Sequence, residues 1–140
     1  MHNQEDYIIR KYRQRFLDQR LRQLDLSLPQ GMYLIKIQEF NIVKMNVLIE
    51  NSPFHKSHAT RQIQQLSERG LVEKSVDADD SRAVVICITQ KGMDLAKDVL
   101  KAVEDWESLC NEALTESELS MLAIIKQKTV QHIRHYFEED

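Results

Sequence analysis

The spacing of the apolar residues changes once along this chain, and that change restricts the fold more than any other feature. Most of the sequence carries apolar residues at the three- and four-residue intervals of amphipathic helices. Two short β-branched stretches, LVEKSV and AVVICIT, interrupt this pattern and flank the polar stretch DADDSR at residues 77–82. Such a pair predicts an antiparallel hairpin with DADDSR at its tip. Because an isolated hairpin is marginally stable, it must pack on the preceding helices.

Helices are predicted on both sides of this hairpin. Only three glycines and two prolines occur in 140 residues, which disfavours a turn-rich all-β fold. Four helices are expected before the hairpin, over residues 5–25, 28–40, 43–50 and 55–69, and two long helices after it. Ser27 with Gln30 and Thr115 with Glu118 have the spacing of capping boxes, and Gly70 has the position of a helix C-cap. The predicted fold class is mainly α with a small antiparallel β-hairpin.

This order of elements is typical of a winged helix-turn-helix. The second to fourth helices and the β-ribbon would form a DNA-binding domain over residues 28–91. The remaining helices are long and apolar on one face, which favours packing against a second copy. Residues 1–27 and 92–140 are therefore expected to form a helical dimerisation region.

Charge and residue content argue against several classes of protein. The formal net charge is −3, and the acidic excess is C-terminal, since residues 92–140 hold five basic and eleven acidic side chains. No apolar run approaches the roughly 20 residues of a membrane span, and the charged N-terminal stretch is unlike a signal peptide. The two cysteines form no disulfide framework or CxxC motif. A cytoplasmic protein is expected. With no Gly-rich phosphate loop or nucleophile elbow, we predict no enzyme, cofactor or metal.

The fourth predicted helix has an apolar face and a polar face. Ala59, Ile63 and Leu66 recur at helical spacing and are expected to face the core. The opposite face can enter a DNA major groove, where glutamine pairs with adenine and arginine with guanine. A plain solvated helix surface is the alternative interpretation of this face. The candidate DNA contacts on it are Ser57, His58, Arg61, Gln64 and Gln65.

Three motifs, in this order and spacing, resemble the MarR family of transcription regulators. They are KSHATR followed by GLVEK, the wing pattern of Asp77, Asp80 and Arg82, and the ITxKG pattern at residues 88–92. The resemblance covers residues 26–97 by motif and the whole chain by layout. It implies a homodimer that binds double-stranded DNA at a pseudo-palindromic operator, usually as a repressor, and that is often released by a small ligand or by thiol oxidation.

The resemblance also implies roles for residues of the fourth helix. It places Ser57, Thr60 and Arg61 where members of the family contact DNA. His58 and Gln62 fall at variable positions and are expected to carry sequence preference.

The hairpin tip and three lysines complete the predicted DNA contacts. Acidic residues are ordinary turn formers, but Arg82 is placed to enter the minor groove, whose negative potential attracts arginine. The resemblance implies that Asp80 pairs with Arg82 and directs it. Lys56, Lys74 and Lys91 are expected to contact backbone phosphates, or else to be ordinary surface lysines.

The effector and the wider function leave alternatives open. Tyr12, Phe16 and Tyr33 are candidates to line a cleft for a small-molecule effector, although core packing is the more ordinary role for such aromatic residues. One alternative function is a winged-helix protein-interaction module that binds no DNA. Another is a metal-responsive regulator, for which two histidine pairs have one-turn spacing: His55 with His58, and His132 with His135.

Overall fold

A computed structural model describes residues 3–139. Its elements in chain order are α1 (Asn3–Arg22), α2 (Leu28–Phe40), β1 (Ile42–Lys44), α3 (Met45–Glu50), α4 (Lys56–Glu68), β2 (Val72–Val76), β3 (Val84–Ile88), α5 (Gln90–Asn111) and α6 (Glu116–Tyr136). The chain divides into two compact units, Met1–Trp106 and Glu107–Asp140. Among the helices described, none is long and apolar enough to cross a membrane. The division into dimerisation and DNA-binding segments stays a prediction.

The strands form a three-stranded antiparallel sheet in the order β1-β3-β2. The predicted hairpin is confirmed as β2 and β3. The predicted start of the third helix at Val43 is wrong, because Ile42–Lys44 is a strand that pairs Val43 with Ile86 and Lys44 with Val85. Its partner strand lies some forty residues downstream, so the local spacing of apolar residues carries no sign of it.

Local capping fixes the helix ends as predicted. Ser27 Oγ accepts a hydrogen bond from the Gln30 amide at 3.2 Å, and Gln30 Oε1 accepts one from the Ser27 amide at 3.1 Å. Thr115 and Glu118 form the same reciprocal pair at the start of α6, and the backbone hydrogen bond from Thr115 lowers the pKa of Glu118. Gly70 follows the end of α4 at a φ of 73°, a conformation that favours glycine.

The core of the Met1–Trp106 unit lies between the winged elements and parts of α1 and α5. The predicted inward face of α4 is confirmed, since Ala59, Ile63 and Leu66 are fully buried. The largest fully buried side chains contributed by the other elements include Leu17, Leu21, Leu34, Ile37, Leu71, Ile86 and Val99. This packing gives α4 a rigid base from which its polar side projects.

A polar cluster joins α1 to α5 within the same unit. Asp105 accepts a hydrogen bond from Arg20 at 2.6 Å and another from Lys101 at 2.7 Å. The bond from Lys101, followed by that from Arg20, lowers the pKa of Asp105. The rings of Phe16 and Trp106 pack beside it with centroids 5.6 Å apart. Both polar and aromatic contacts therefore hold α1 against α5.

Candidate nucleic-acid interface

The first two turns of α4 carry exposed polar side chains. His55 Nδ1 accepts a hydrogen bond from the Ser57 amide at 3.3 Å and so caps the helix. The Thr60 hydroxyl donates to the Lys56 carbonyl at 2.9 Å, which leaves its methyl group at the surface. A shallow groove over these turns is lined by His55, Lys56, Ser57, Thr60, Arg61 and Gln64.

The Arg61 side chain has no partner within residues 3–139. Its side chain is exposed, and within residues 3–139 no hydrogen bond or ion pair engages the guanidinium. Its five donors are therefore available to an external acceptor. Of the residues predicted on this face, Arg61 matches the expected placement most fully.

The structure does not place His58 and Gln62 on the polar face. Gln62 is only 9% exposed, and half-buried His58 lies against Phe54 with ring centroids 4.5 Å apart. Among the described residues, His58 Nδ1 and Gln62 Oε1 find no hydrogen-bond partner. Positions 58 and 62 are one turn apart and flank the apolar stripe, so the buried side of α4 is wider than three apolar residues suggest. The role of these two side chains in sequence preference stays a prediction.

Gln64 and Gln65 are exposed, but both amides already have protein partners. Gln64 Oε1 accepts a hydrogen bond from Lys74 of β2, and Gln64 Nε2 donates to Glu68 at 3.2 Å. Gln65 Oε1 accepts one from Gln30 at 2.7 Å. A base contact through the side-chain oxygen of either glutamine would compete with these bonds. The predicted phosphate contact Lys74 instead ties the sheet to α4 in the free protein.

The wing, defined as β2, β3 and residues 77–83 between them, is closed by backbone hydrogen bonds. The Asp77 amide donates to the Ala83 carbonyl, and the Ala83 amide to the Asp80 carbonyl, both at 3.0 Å. Asp80 Oδ1 accepts from the Arg82 backbone amide at 3.0 Å. The implied side-chain pair of Asp80 with Arg82 is thus replaced by a side-chain-to-backbone bond. Within residues 3–139 the Arg82 guanidinium has no ion-pair partner.

Lys91 also has a partner within the described chain. Its Nζ donates to the carbonyl of Arg69 at 2.8 Å, at the C-terminal end of α4. A cation at that end stabilises the last carbonyls of a helix. The lysine expected to contact phosphate therefore caps a helix.

The three aromatic residues predicted for a ligand cleft have different surroundings. Tyr12 is exposed on α1, Phe16 packs on Trp106, and Tyr33 bonds Ser52 through its hydroxyl at 2.6 Å. None of the three lines a cavity of about 630 Å³ between α1 and the start of α2. Its lining includes Arg13, Arg22, Leu26, Leu28, Met32 and Phe54. Over the described part of the chain, no group of three or more potential ligands could hold a metal.

Comparison with known proteins decides the family. The sequence model of the family described as transcriptional regulator SarA/Rot matches residues 15–99, more than half of the chain. The chain belongs to the SarA/Rot family of transcriptional regulators. It is also 27% identical over 108 residues to the HTH-type transcriptional regulator BilQ of Clostridioides difficile (strain CD3), which covers 77% of this chain and 72% of that protein.

Solved structures show the fold of this SarA/Rot-family member. A crystal structure of MarR superposes with a TM-score of 0.86 at 23% identity, covering 99% of this chain and 95% of that one. A mutant MarR from E. coli, complexed with operator DNA, gives a TM-score of 0.78 at 21% identity and 91% coverage of both chains. The resemblance to MarR-type regulators is confirmed, and the fold is their winged helix. Both family and fold are those of transcriptional regulators rather than of enzymes.

Proposed function

We propose that this SarA/Rot-family protein is a cytoplasmic, sequence-specific DNA-binding repressor that acts as a homodimer on a pseudo-palindromic operator. The observation that carries the proposal is the state of two guanidinium groups. Arg61 on α4 and Arg82 on the wing are exposed and unpaired within the described chain, whereas Gln64, Gln65 and Lys74 bond other residues of the protein. Unpaired arginines on an exposed helix and a hairpin tip suit DNA, which offers acceptors in both grooves.

Each part of the surface has a distinct proposed contact. Arg61 would reach guanine O6 and N7 in the major groove, the commonest specific contact of arginine. Lys56 and Ser57, in the first turn of α4, would hold backbone phosphates and so set the register. Arg82 would enter the adjacent minor groove. The structure of a MarR mutant with operator DNA supports this arrangement by similarity of fold.

The homodimer is supported by apolar side chains that the chain leaves exposed. Helix α6 has no buried residue, and Met121, Ile124, Ile125 and Ile133 are each 48–55% exposed. Ile8, Ile9 and Tyr12 of α1 are exposed to a similar degree. Soluble monomers rarely expose so many large apolar side chains, and helices gain most of their stability from burying an apolar face. A second copy of this chain is the proposed cover.

The dimer predicts a specific response to charge on α6. Replacing Ile125 with glutamate should lower the association constant, because an apolar side chain that packs in the interface becomes a desolvated carboxylate. Gln127→Glu adds the same charge at an exposed polar position of the same helix and serves as the control. Sedimentation equilibrium over a concentration series should show dissociation of I125E alone. Equal dimerisation of both variants would contradict the proposed interface.

Release by a small effector is supported by the cavity beside α2. Its lining combines apolar side chains with Arg13, Asp18 and Arg22, a mixture that fits a small organic molecule with polar groups. The cavity borders the start of α2, and Gln30 of α2 bonds Gln65 of α4. A ligand that shifts α2 would therefore change the position of α4, the helix proposed to face DNA.

The proposed function is tested by selection of duplexes from random DNA with the full chain. We expect recovery of a two-fold symmetric sequence. The logarithm of its association constant should fall linearly with the logarithm of salt concentration, with a slope near −0.9 for each phosphate neutralised. If no duplex is bound even at low salt, the proposal fails and the protein-interaction module becomes the better interpretation.

A further inference from the structure

We propose that Asp77 is a positioning residue, whose ion pair with Lys44 fixes the direction of the wing and thereby the reach of Arg82. The inference rests on the DNA binding proposed above. It concerns a residue for which turn formation was the only role that the sequence indicated.

The wing tip holds three acidic residues, Asp77, Asp79 and Asp80. Asp77 Oδ2 lies 3.5 Å from Lys44 Nζ, and the Asp77 side chain is only 18% exposed. Asp79 and Asp80 are exposed, and neither forms an ion pair within residues 3–139. One of the three acids therefore differs from the other two in both burial and pairing.

The register of the sheet shows what this pair spans. Lys44 on β1 and Ser75 on β2 are both paired with Val85 of β3, so their side chains share one face of the sheet. Asp77, two residues after Ser75, continues that face. The Lys44–Asp77 pair thus crosses the central strand above Val85, which is 9% exposed. It joins the start of the wing tip to the residue that immediately precedes α3.

The opposite face of β2 has a matching contact. Lys74 is paired with Ile86, which is fully buried, and its Nζ bonds Gln64 on α4. The strand that leads into the wing tip is therefore tied to α4 on one face and to the start of α3 on the other. Loss of the outer contact would remove one of these two side-chain restraints on the direction of the tip, while the backbone hydrogen bonds that close the tip remain.

The expected effect is on binding rather than on folding. Exposed ion pairs contribute little to stability because solvent screens them. Within residues 3–139 Arg82 is held through its backbone amide, so the direction of its side chain follows that of the tip. A small change in backbone direction at Asp77 would therefore displace the guanidinium of Arg82, which lies five residues later.

A matched control separates position from charge. A carboxylate near DNA repels phosphate, so any Asp-to-Asn change at the tip should tighten binding on charge grounds alone. Asp79→Asn makes the same change two residues away, without an ion pair to break. The informative quantity is the affinity of D77N relative to D79N.

Affinities are measured at fixed salt on the duplex that the wild-type chain selects from random DNA. We expect D77N to bind roughly two- to fivefold more weakly than D79N for each wing engaged, the range of an exposed ion pair. The difference should vanish in an Arg82→Ala background and persist in an Arg61→Ala background. Lys44→Gln, which breaks the pair from the other side, should likewise remove it. Thermal unfolding of each variant checks that the fold is kept.

The outcomes separate the two proposals. Equal affinity of D77N and D79N, or a difference that survives undiminished without Arg82, would overturn the positioning role while DNA binding stands. If neither the wild-type chain nor D79N binds any duplex, the proposed function itself fails, and this inference fails with it.

Discussion

Arg61→Ala is expected to lose about 1–3 kcal/mol of binding free energy for each half-site, roughly five- to 150-fold in affinity. The reason is that a bidentate contact to guanine is lost and nothing in the free protein replaces it. The Arg61 guanidinium is exposed on α4, and no described residue pairs with it. Truncation should therefore leave the fold unchanged and act on the complex alone.

Lys56→Ala is the matched control for Arg61→Ala, because Lys56 is exposed in the same helix and is proposed to contact phosphate. Both variants are titrated against the selected duplex and against its single-base-pair substitutions. R61A should relax specificity at one base pair of each half-site, whereas K56A should weaken binding to all duplexes alike and reduce the salt slope by about one unit for each half-site. A uniform loss for R61A would assign Arg61 to phosphate instead, and full affinity would remove it from the interface.

The parts of the fold that could be predicted from the sequence are those whose cause is local. The capping boxes of α2 and α6 each need partners three residues apart, and both form as the spacing indicates. The hairpin is signalled by two adjacent β-branched stretches. Strand β1 is different, because Ile42–Lys44 becomes a strand only through pairing with β3. That contact joins distant segments, and three residues are too short to show alternation.

The candidate site divides in the same way. Residue type and helical spacing identify the exposed basic positions of α4, but they do not show which polar side chains are already engaged. Gln64, Gln65 and Lys91 have partners on other elements, and Asp77 pairs with a lysine thirty-three positions earlier in the chain. Such partners depend on tertiary packing. The sequence therefore identifies residues of a type that suits DNA binding. It does not show which of these side chains are free of protein partners.

Gly92→Ala is expected to have the largest effect on stability, a loss of about 3 kcal/mol, the upper end of the range for overpacking a tight site. A Cβ added at Gly92 would overlap the carbonyl oxygen of Leu71 and lie 3.0 Å from its carbonyl carbon. That carbonyl also accepts hydrogen bonds from the Thr89 amide at 3.1 Å and the Thr89 hydroxyl at 3.0 Å. Because the obstacle is backbone, relief of the overlap would disturb the bonds that begin α5.

Gly31→Ala is the control that isolates this cause. Gly31 is also a buried helical glycine, so both substitutions gain the same helix propensity of up to about 1 kcal/mol. Its added Cβ would overlap Cδ2 of Leu21, the end of a side chain that can change rotamer, so the loss should be smaller. Urea unfolding at one protein concentration compares the two, and equal stability would contradict the argument. A larger loss for G92A would give the glycine of the ITxKG pattern a physical reason: α5 can dock against the start of β2 only where the helix has no side chain.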